Sequence, residues 1–202
     1  MTNAPRRENI EWLDVWIVDG VGTTLPRVLL IGDSITRGYR DETARLFEGK
    51  ASVSRLATSK SLGDPVLLEE TALVARAYCW DVIHFNNGLH GSDYTEDEYG
   101  TAWPDWLALL RQCAPQAQMI WASTTAVRDK SNLCALGDFN PRVNARNAIA
   151  TRIVDRENIP TNDLYSVSEP NPNYYADDGV HFNAEGVRAM AERVAASVSR
   201  CL

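Results

Sequence analysis

The sequence has little positive charge, no paired cysteines and no long apolar run, and each absence excludes a class of function. Its 202 residues contain 20 lysines and arginines against 27 acidic residues, which gives a net charge of -7. The longest basic run is the pair Arg6-Arg7, so we expect no nucleic-acid partner. No apolar stretch approaches the roughly 20 residues that span a bilayer, so we expect no membrane partner. The amino terminus, MTNAPRREN, lacks the apolar centre of a secretory signal, which makes the cytoplasm the default location.

The cysteines are scattered along the chain and form no C-x-x-C pair: Cys79, Cys113, Cys134 and Cys201. A zinc site and thioredoxin-like redox chemistry both need closely spaced thiols, so neither is expected. We predict buried free thiols, and we expect no metal and no cofactor.

Strand-like and helix-like segments alternate about five times along the chain. Apolar runs predict strands at 28–31, 51–56, 81–85, 119–122 and 163–167. The segments between and after them predict helices, the last of which begins at Asn183 or Ala184. This alternation predicts a three-layer α/β/α sandwich with a five-stranded parallel sheet, in a single domain, 1–202. Residues 1–26 fit neither period, and we expect an extended or irregular lead-in whose tryptophans pack on the core.

The stretch from Arg27 to Gly38, RVLLIGDSITRG, joins a predicted buried strand to a serine. The apolar run ends at Gly32, and Ser34 follows two residues later. Ligands of open α/β sheets bind beyond the carboxyl ends of the strands, so Ser34 is expected to face the open site. The alternative is that Ser34 only caps the helix that follows, a role that serine often fills.

A serine hydroxyl becomes a good nucleophile only when a base accepts its proton, which directs attention to the three histidines. His84 lies inside a predicted strand and is best explained as a core residue, whereas His90 follows that strand at the presumed active edge. His181 lies three residues after Asp178, close enough in a turn for the carboxylate to accept a hydrogen bond from imidazole Nδ1. The alternative for Asp178-Gly179 is a simple turn.

Two blocks of the sequence carry a resemblance to a known family. Gly32-Asp33-Ser34-Ile35 after a strand, together with Asp178-x-x-His181 before the last helix, resembles the SGNH or GDSL-like hydrolases, which include esterases and lipases. The resemblance extends from 28 to about 190 and implies the flavodoxin-like fold of that family. It also implies that Ser34 is the nucleophile, His181 the general base and acid, and Asp178 the carboxylate that orients the histidine.

The same resemblance implies an oxyanion hole with three donors. Two of them are the backbone amides of Ser34 and Gly63. The third is a side chain, an asparagine in the family's G-x-N-D block, and here the sequence departs from the family because Gly88-Leu89-His90-Gly91 occupies that place. Either His90 donates instead of the asparagine, or Asn86 or Asn87 turns into the role one step earlier.

The resemblance implies an enzyme that hydrolyses small oxygen esters, such as short-chain acyl esters or acetylated carbohydrates, without a cofactor or a metal. Its partner would be a small-molecule ester, and no feature of the sequence sets an oligomeric state. Two alternatives stay open: a non-catalytic binding domain of the same fold, which the missing asparagine suggests, and an acyltransferase, thioesterase or lysophospholipase. A flavodoxin-like nucleotide-binding protein would leave Asp178 and His181 unexplained, and the sequence lacks a phosphate loop.

Five aromatic residues have two interpretations, stacking on a sugar ring or filling the core: Trp103, Trp106, Trp121, Tyr174 and Tyr175. Filling the core is the commoner role for aromatic residues at such positions.

Overall fold

The apolar runs of the sequence form the central sheet of the protein. The structure is a computed structural model that describes residues 5–202. Its strands are, in chain order, β1 (Leu13–Trp16), β2 (Arg27–Gly32), β3 (Ser52–Thr58), β4 (Val82–Phe85), β5 (Gln118–Ala122), β6 (Arg128–Asp129), β7 (Asn132–Leu136) and β8 (Thr161–Asn162). Within the described residues, six of them form one sheet in the order β1-β3-β2-β4-β5-β8, while β6 and β7 form a separate hairpin. The neighbours from β3 to β8 run parallel, which confirms the prediction of five parallel strands.

Helices cover both faces of this sheet. They are α1 (Ser34–Leu46), α2 (Pro65–Ala75), α3 (Glu96–Cys113), α4 (Asn140–Arg156), α5 (Tyr165–Ser168) and α6 (Ala184–Val198). Successive residues of a strand point to opposite faces. Accordingly, Leu29 and Ile31 of β2 pack in the core cluster with α2, α3 and α4, whereas Val28 and Leu30 pack with α1 and α6. The sheet therefore lies between two sets of helices, which gives the three predicted layers. Over 5–202, no helix combines the length and the apolar character that crossing a membrane requires.

The lead-in before β2 contains a strand that the sequence pattern does not reveal. Residues of β1 pair antiparallel with β3, from Leu13 opposite Thr58 to Trp16 opposite Arg55, so the lead-in is extended there rather than irregular. Neither face of β1 is buried, so the fold does not require apolar and polar residues to alternate along it, and the sequence pattern does not mark it clearly as a strand. Trp16 is 56% exposed and does not pack on the core as expected. Residues 1–4 of the predicted lead-in lie outside the described residues.

The last parallel strand lies earlier than predicted. β8 ends at Asn162, and the segment predicted as a strand, 163–167, instead enters α5. Asp163 accounts for the difference, because its carboxylate accepts a hydrogen bond from the Ser166 amide and so favours a helical turn.

The prediction of buried thiols was also wrong. The cysteines are free, but Cys79 and Cys134 are exposed, and Cys113 and Cys201 are only half-buried.

Three tryptophans fill the core between the sheet and α3. Trp103, Trp106 and Trp121 are each at most 1% exposed, and the ring of Trp103 has edge-on contacts with the other two. A sugar ring cannot stack on them, so that interpretation is wrong for these three residues. Tyr175 is buried as well, and its hydroxyl donates a hydrogen bond to the Ala126 carbonyl.

His84 is a core residue of β4. It is fully buried, and its Nε2 lies 3.0 Å from the side-chain amide of Asn162. Burial disfavours the charged ring and lowers the pKa of His84 to about 4. His84 is therefore neutral at physiological pH.

We expect the protein to lose stability as the pH falls from about 6.5 toward 4, because over this range the unfolded chain binds a proton at His84 that the folded chain does not. The loss at this one residue is about 3 kcal/mol. His84→Gln keeps a neutral partner for Asn162 but cannot titrate. Its free energy of unfolding should therefore change less than that of the wild type between about pH 7 and pH 4.5, as measured by urea denaturation. Equal changes in the two proteins would contradict the assignment.

Candidate active site

Ser34 is the first residue of α1, directly beyond the carboxyl end of β2. Asp33 caps this helix, since its carboxylate accepts a hydrogen bond of 2.9 Å from the Ile35 amide. The turn from strand to helix is tight, and a side chain at Gly32 would overlap Thr36. Because Asp33 takes the capping role, the hydroxyl of Ser34 stays available for another partner.

That partner is His181. Its Nε2 lies 2.8 Å from Ser34 Oγ, although 147 positions separate the two residues. Its Nδ1 lies 2.6 Å from Asp178 Oδ2, and the other carboxylate oxygen of Asp178 accepts hydrogen bonds from the amides of Val180 and His181. Ser34, His181 and Asp178 therefore form one continuous chain of hydrogen bonds.

The Asp178 carboxylate is held in its ionised form. Partial burial by itself raises its pKa, but the hydrogen bonds from the His181 ring and from two backbone amides outweigh that effect and bring the pKa below its ordinary value. An ionised carboxylate on Nδ1 fixes the ring tautomer, so that Nε2 presents its lone pair to Ser34.

The hairpin of β6 and β7 contacts the turn that carries Asp178 and holds it in place. The Arg128 amide donates a hydrogen bond of 2.7 Å to the Gly179 carbonyl. Gly179 has a φ of 73°, and a side chain there would overlap the Arg128 carbonyl. The loop after β5, which contains this hairpin, thus sets the position of the turn that carries Asp178.

Asn87 and His90, the two main candidates for the third oxyanion donor, differ in what they bind. Asn87 is buried, and its side chain accepts a hydrogen bond from the Leu62 amide and donates one to the Lys60 carbonyl. It therefore ties the loop after β3 to the end of β4. The Nδ1 of His90 lies 2.8 Å from a carboxylate oxygen of Glu8, whereas its Nε2 contacts no hydrogen-bonding group among residues 5–202.

The other candidate, Asn86, is also committed, because its amide donates to the Ala122 carbonyl and to the Thr124 hydroxyl. The two backbone candidates are free. Neither the Ser34 amide nor the Gly63 amide donates a hydrogen bond to any group of the described chain. Among the expected donors, these two amides have no partner in the described chain, and His90 has one ring nitrogen, Nε2, without a partner there.

Arg146 of α4 shapes the loop that carries His90. Its side chain is 1% exposed and donates to four carbonyls of that loop: Gly88 at 2.9 Å, His90 at 2.7 Å, Gly91 at 2.7 Å and Tyr94 at 3.3 Å. Burial lowers the pKa of the guanidinium. The sequence does give a signal for Arg146, which lies at helical spacing between Val143 and Ala150 on the buried face of α4.

The amino-terminal segment 6–12 lies against the same loops. It forms three ion pairs with these loops and with the first turn of α3, besides the contact of Glu8: Arg6 with Glu98, Arg7 with Asp64, and Glu11 with Lys60. The lead-in is therefore part of the site's surroundings, a role that the sequence pattern does not indicate. Among the side chains that the structure describes, no three histidine, cysteine or acidic groups gather as a set of metal ligands.

Known structures share this architecture. No family model and no curated protein matches the sequence. A GDSL-like lipase from Bacteroides thetaiotaomicron is 18% identical, with a TM-score of 0.64 over 91% of this chain and 95% of its own. An acetyl xylan esterase is 18% identical, with a TM-score of 0.65 over 85% and 99%. A lipase/acylhydrolase from Enterococcus faecalis is 16% identical, with a TM-score of 0.63 over 87% and 96%. The chain has the fold of the GDSL-like hydrolases, as its sequence predicts.

Replacement of Arg146 by methionine should destabilise the protein by about 3 kcal/mol, because buried carbonyls of the His90 loop lose their donors. Arg152→Met is the matched control, since Arg152 is exposed on the same helix, and its effect should stay within about 0.5 kcal/mol. Chemical denaturation measures both values. Equal effects of the two substitutions would show that the buried guanidinium does not hold the loop.

Proposed function

We propose that the protein is a serine hydrolase of small oxygen esters that works through Ser34, His181 and Asp178 and an acyl-enzyme intermediate. One observation carries this proposal: the continuous hydrogen-bond chain from the Asp178 carboxylate through both ring nitrogens of His181 to the Ser34 hydroxyl. Nucleophile, base and orienting group are all within reach of one another, which is the arrangement that acyl transfer by serine requires. The site draws on residues from both ends of the chain, so one domain is proposed to carry it.

Acylation begins when Ser34 Oγ attacks the ester carbonyl and gives its proton to Nε2 of His181. The imidazolium that forms is stabilised by the Asp178 carboxylate on Nδ1. As the tetrahedral intermediate collapses, the bond to the alcohol breaks and His181 returns the proton to the leaving oxygen. The products of this half-reaction are the free alcohol and an acyl ester on Ser34.

Deacylation repeats these steps with water. His181 takes a proton from water, the hydroxide attacks the acyl carbonyl, and the proton then passes to Ser34 Oγ as the acid departs. In both halves, negative charge develops on the carbonyl oxygen. The amides of Ser34 and Gly63 and the ring of His90 are the proposed donors to this oxygen, each worth about 3 kcal/mol in the transition state. The amino terminus of α1 adds a favourable dipole.

Short acyl groups on carbohydrates are the proposed substrate class. The support comes from the acetyl xylan esterase whose fold the chain shares, because that enzyme's name states an acetylated polysaccharide as its substrate. Trp103, Trp106 and Trp121 are buried in the core and cannot contact a substrate. Residues on the rim of the site are therefore proposed to recognise the alcohol.

We expect hydrolysis of p-nitrophenyl acetate by the wild-type protein and a loss of at least about a thousandfold in kcat for Ser34→Ala. The loss follows because no other group of the triad can form the acyl-enzyme. Ser199→Ala, an exposed serine at the end of α6, is the matched control and should keep full activity.

Labelling with a fluorophosphonate followed by peptide mapping gives a second readout, in which the adduct should lie on Ser34. Equal rates for the wild type and Ser34→Ala, with no adduct, would instead favour a binding domain that keeps the fold without turnover.

A further inference from the structure

The exposed face of α1 continues from the nucleophile along the helix surface. Residues three and four positions apart lie on the same side of a helix, so Arg37 and Gly38 are the neighbours of Ser34 on its outer face. Both are exposed, whereas Ile35 and Thr36 between them and Ser34 are buried. Anything bound to Ser34 that extends along this face must pass over Arg37 and Gly38.

Gly38 has no structural reason to be glycine. Its φ is an ordinary helical one, and a Cβ added to it would meet no atom of residues 5–202 within 4 Å. A glycine in the interior of a helix costs about 1 kcal/mol relative to alanine. The fold therefore gives up stability next to the nucleophile and leaves an open surface there, as a site for a ligand would need.

Arg37 is a cation held in place by an aromatic ring. Its guanidinium carbon lies 5.2 Å above the ring of Trp12, whose edge faces His90 at 6.1 Å between ring centroids. Trp12 is itself fixed, because its amide donates to the Ser59 hydroxyl and its carbonyl accepts from the Ser59 amide.

The other arginines of α1 are paired, Arg40 with Asp41 and Arg45 with Glu42. Arg37 alone in this helix has no carboxylate within salt-bridge distance in the described part of the chain. A cation that is positioned by an indole but not neutralised is suited to an anion that arrives with the substrate.

We propose that Arg37, Gly38 and Trp12 form the subsite for the alcohol half of the ester, and that this alcohol carries a carboxylate. The inference rests on the proposed ester hydrolysis at Ser34. Since the proposed acyl group is small, the alcohol is the larger half, and an open helix face can hold it where an enclosed pocket could not. Neighbours at this spacing on a helix are about 5–6 Å apart, so the carboxylate lies about that far from the scissile oxygen. Acidic sugars and hydroxy-aromatic acids both meet this description.

The test compares two acetyl esters of the same shape, 4-acetoxybenzoate and its neutral amide, 4-acetoxybenzamide. The wild-type protein should favour the anion in kcat/KM by about tenfold, the value of one hydrogen-bonded charge pair. Arg37→Gln should abolish this preference, because it should lower kcat/KM on the anion about tenfold more than on the amide. Arg45→Gln is the matched control, because it removes the same charge from the same helix far from Ser34, and it should keep the preference. A preference that survives in Arg37→Gln, or equal losses on both esters, would overturn the proposal.

Gly38→Leu tests the open surface independently. Leucine favours the helix, so the variant should melt at a higher temperature than the wild type. Hydrolysis of both aryl esters should nevertheless fall at least about tenfold, because the side chain fills the space that the alcohol occupies. A variant that is more stable and equally active would show that no substrate group lies over Gly38.

Failure of the subsite can be told apart from failure of the proposed function. Calorimetry with the product 4-hydroxybenzoate needs no turnover, and it should show binding that Arg37→Gln weakens about tenfold and Arg45→Gln does not. If neither ester is cleaved but this Arg37-dependent binding is present, ester hydrolysis is wrong and the anion subsite stands. If both esters are cleaved in a Ser34-dependent way without discrimination, the enzyme stands and the subsite is wrong.

Discussion

The hydrogen bond between Ser34 and His181 is the contact on which the whole arrangement depends. It joins the end of the second strand to the turn before the last helix, and the parallel sheet brings these two distant segments to one edge. In such a sheet every strand delivers its following loop to the same edge. The five parallel strands of this protein therefore gather the serine, the histidine and the loops beside them without any of these residues being close in sequence.

The loops at that edge need their own source of rigidity, because they lie beyond the strands and their carbonyls have no sheet partners. A buried arginine provides it for the loop after β4, where the guanidinium of Arg146 takes up four carbonyls. Burying a cation without a close carboxylate is costly, and Glu96 comes no nearer than 3.7 Å. The loop carbonyls supply the hydrogen bonds that offset this cost, so the loop and the side chain of Arg146 become ordered together. Asn87 does the same between the loops after β3 and β4 with a neutral amide.

Features of the site that depend on residues close together in the chain could be predicted from the sequence. The apolar run before Ser34 predicts its strand, and the three-residue spacing of Asp178 and His181 predicts the contact that the structure contains. Features that depend on a contact partner distant in sequence could not be predicted. Nothing near Arg146 in the sequence names the carbonyls that it binds, and β1 carries no alternation because both of its faces meet solvent. The role of the lead-in beside the site likewise depends on contacts across more than 80 residues, such as that of Glu8 with His90.

The resemblance of the sequence implies an asparagine as the third oxyanion donor, and the contact of His90 with Glu8 shows how a histidine in that place would differ from it. An asparagine amide always has protons to donate, whereas a neutral imidazole has only one. Nδ1 of His90 faces a carboxylate oxygen of Glu8, which can only accept a hydrogen bond, so a ring with a single proton in this contact carries it on Nδ1 and has an acceptor at Nε2. Such a ring donates from Nε2 only when both of its nitrogens carry a proton. In the proposed reaction His181 needs an unprotonated Nε2 at the start, because it acts first as a base. The segment that carries Glu8 therefore contacts a side chain proposed for the oxyanion hole, and its ion pairs hold it beside that side chain.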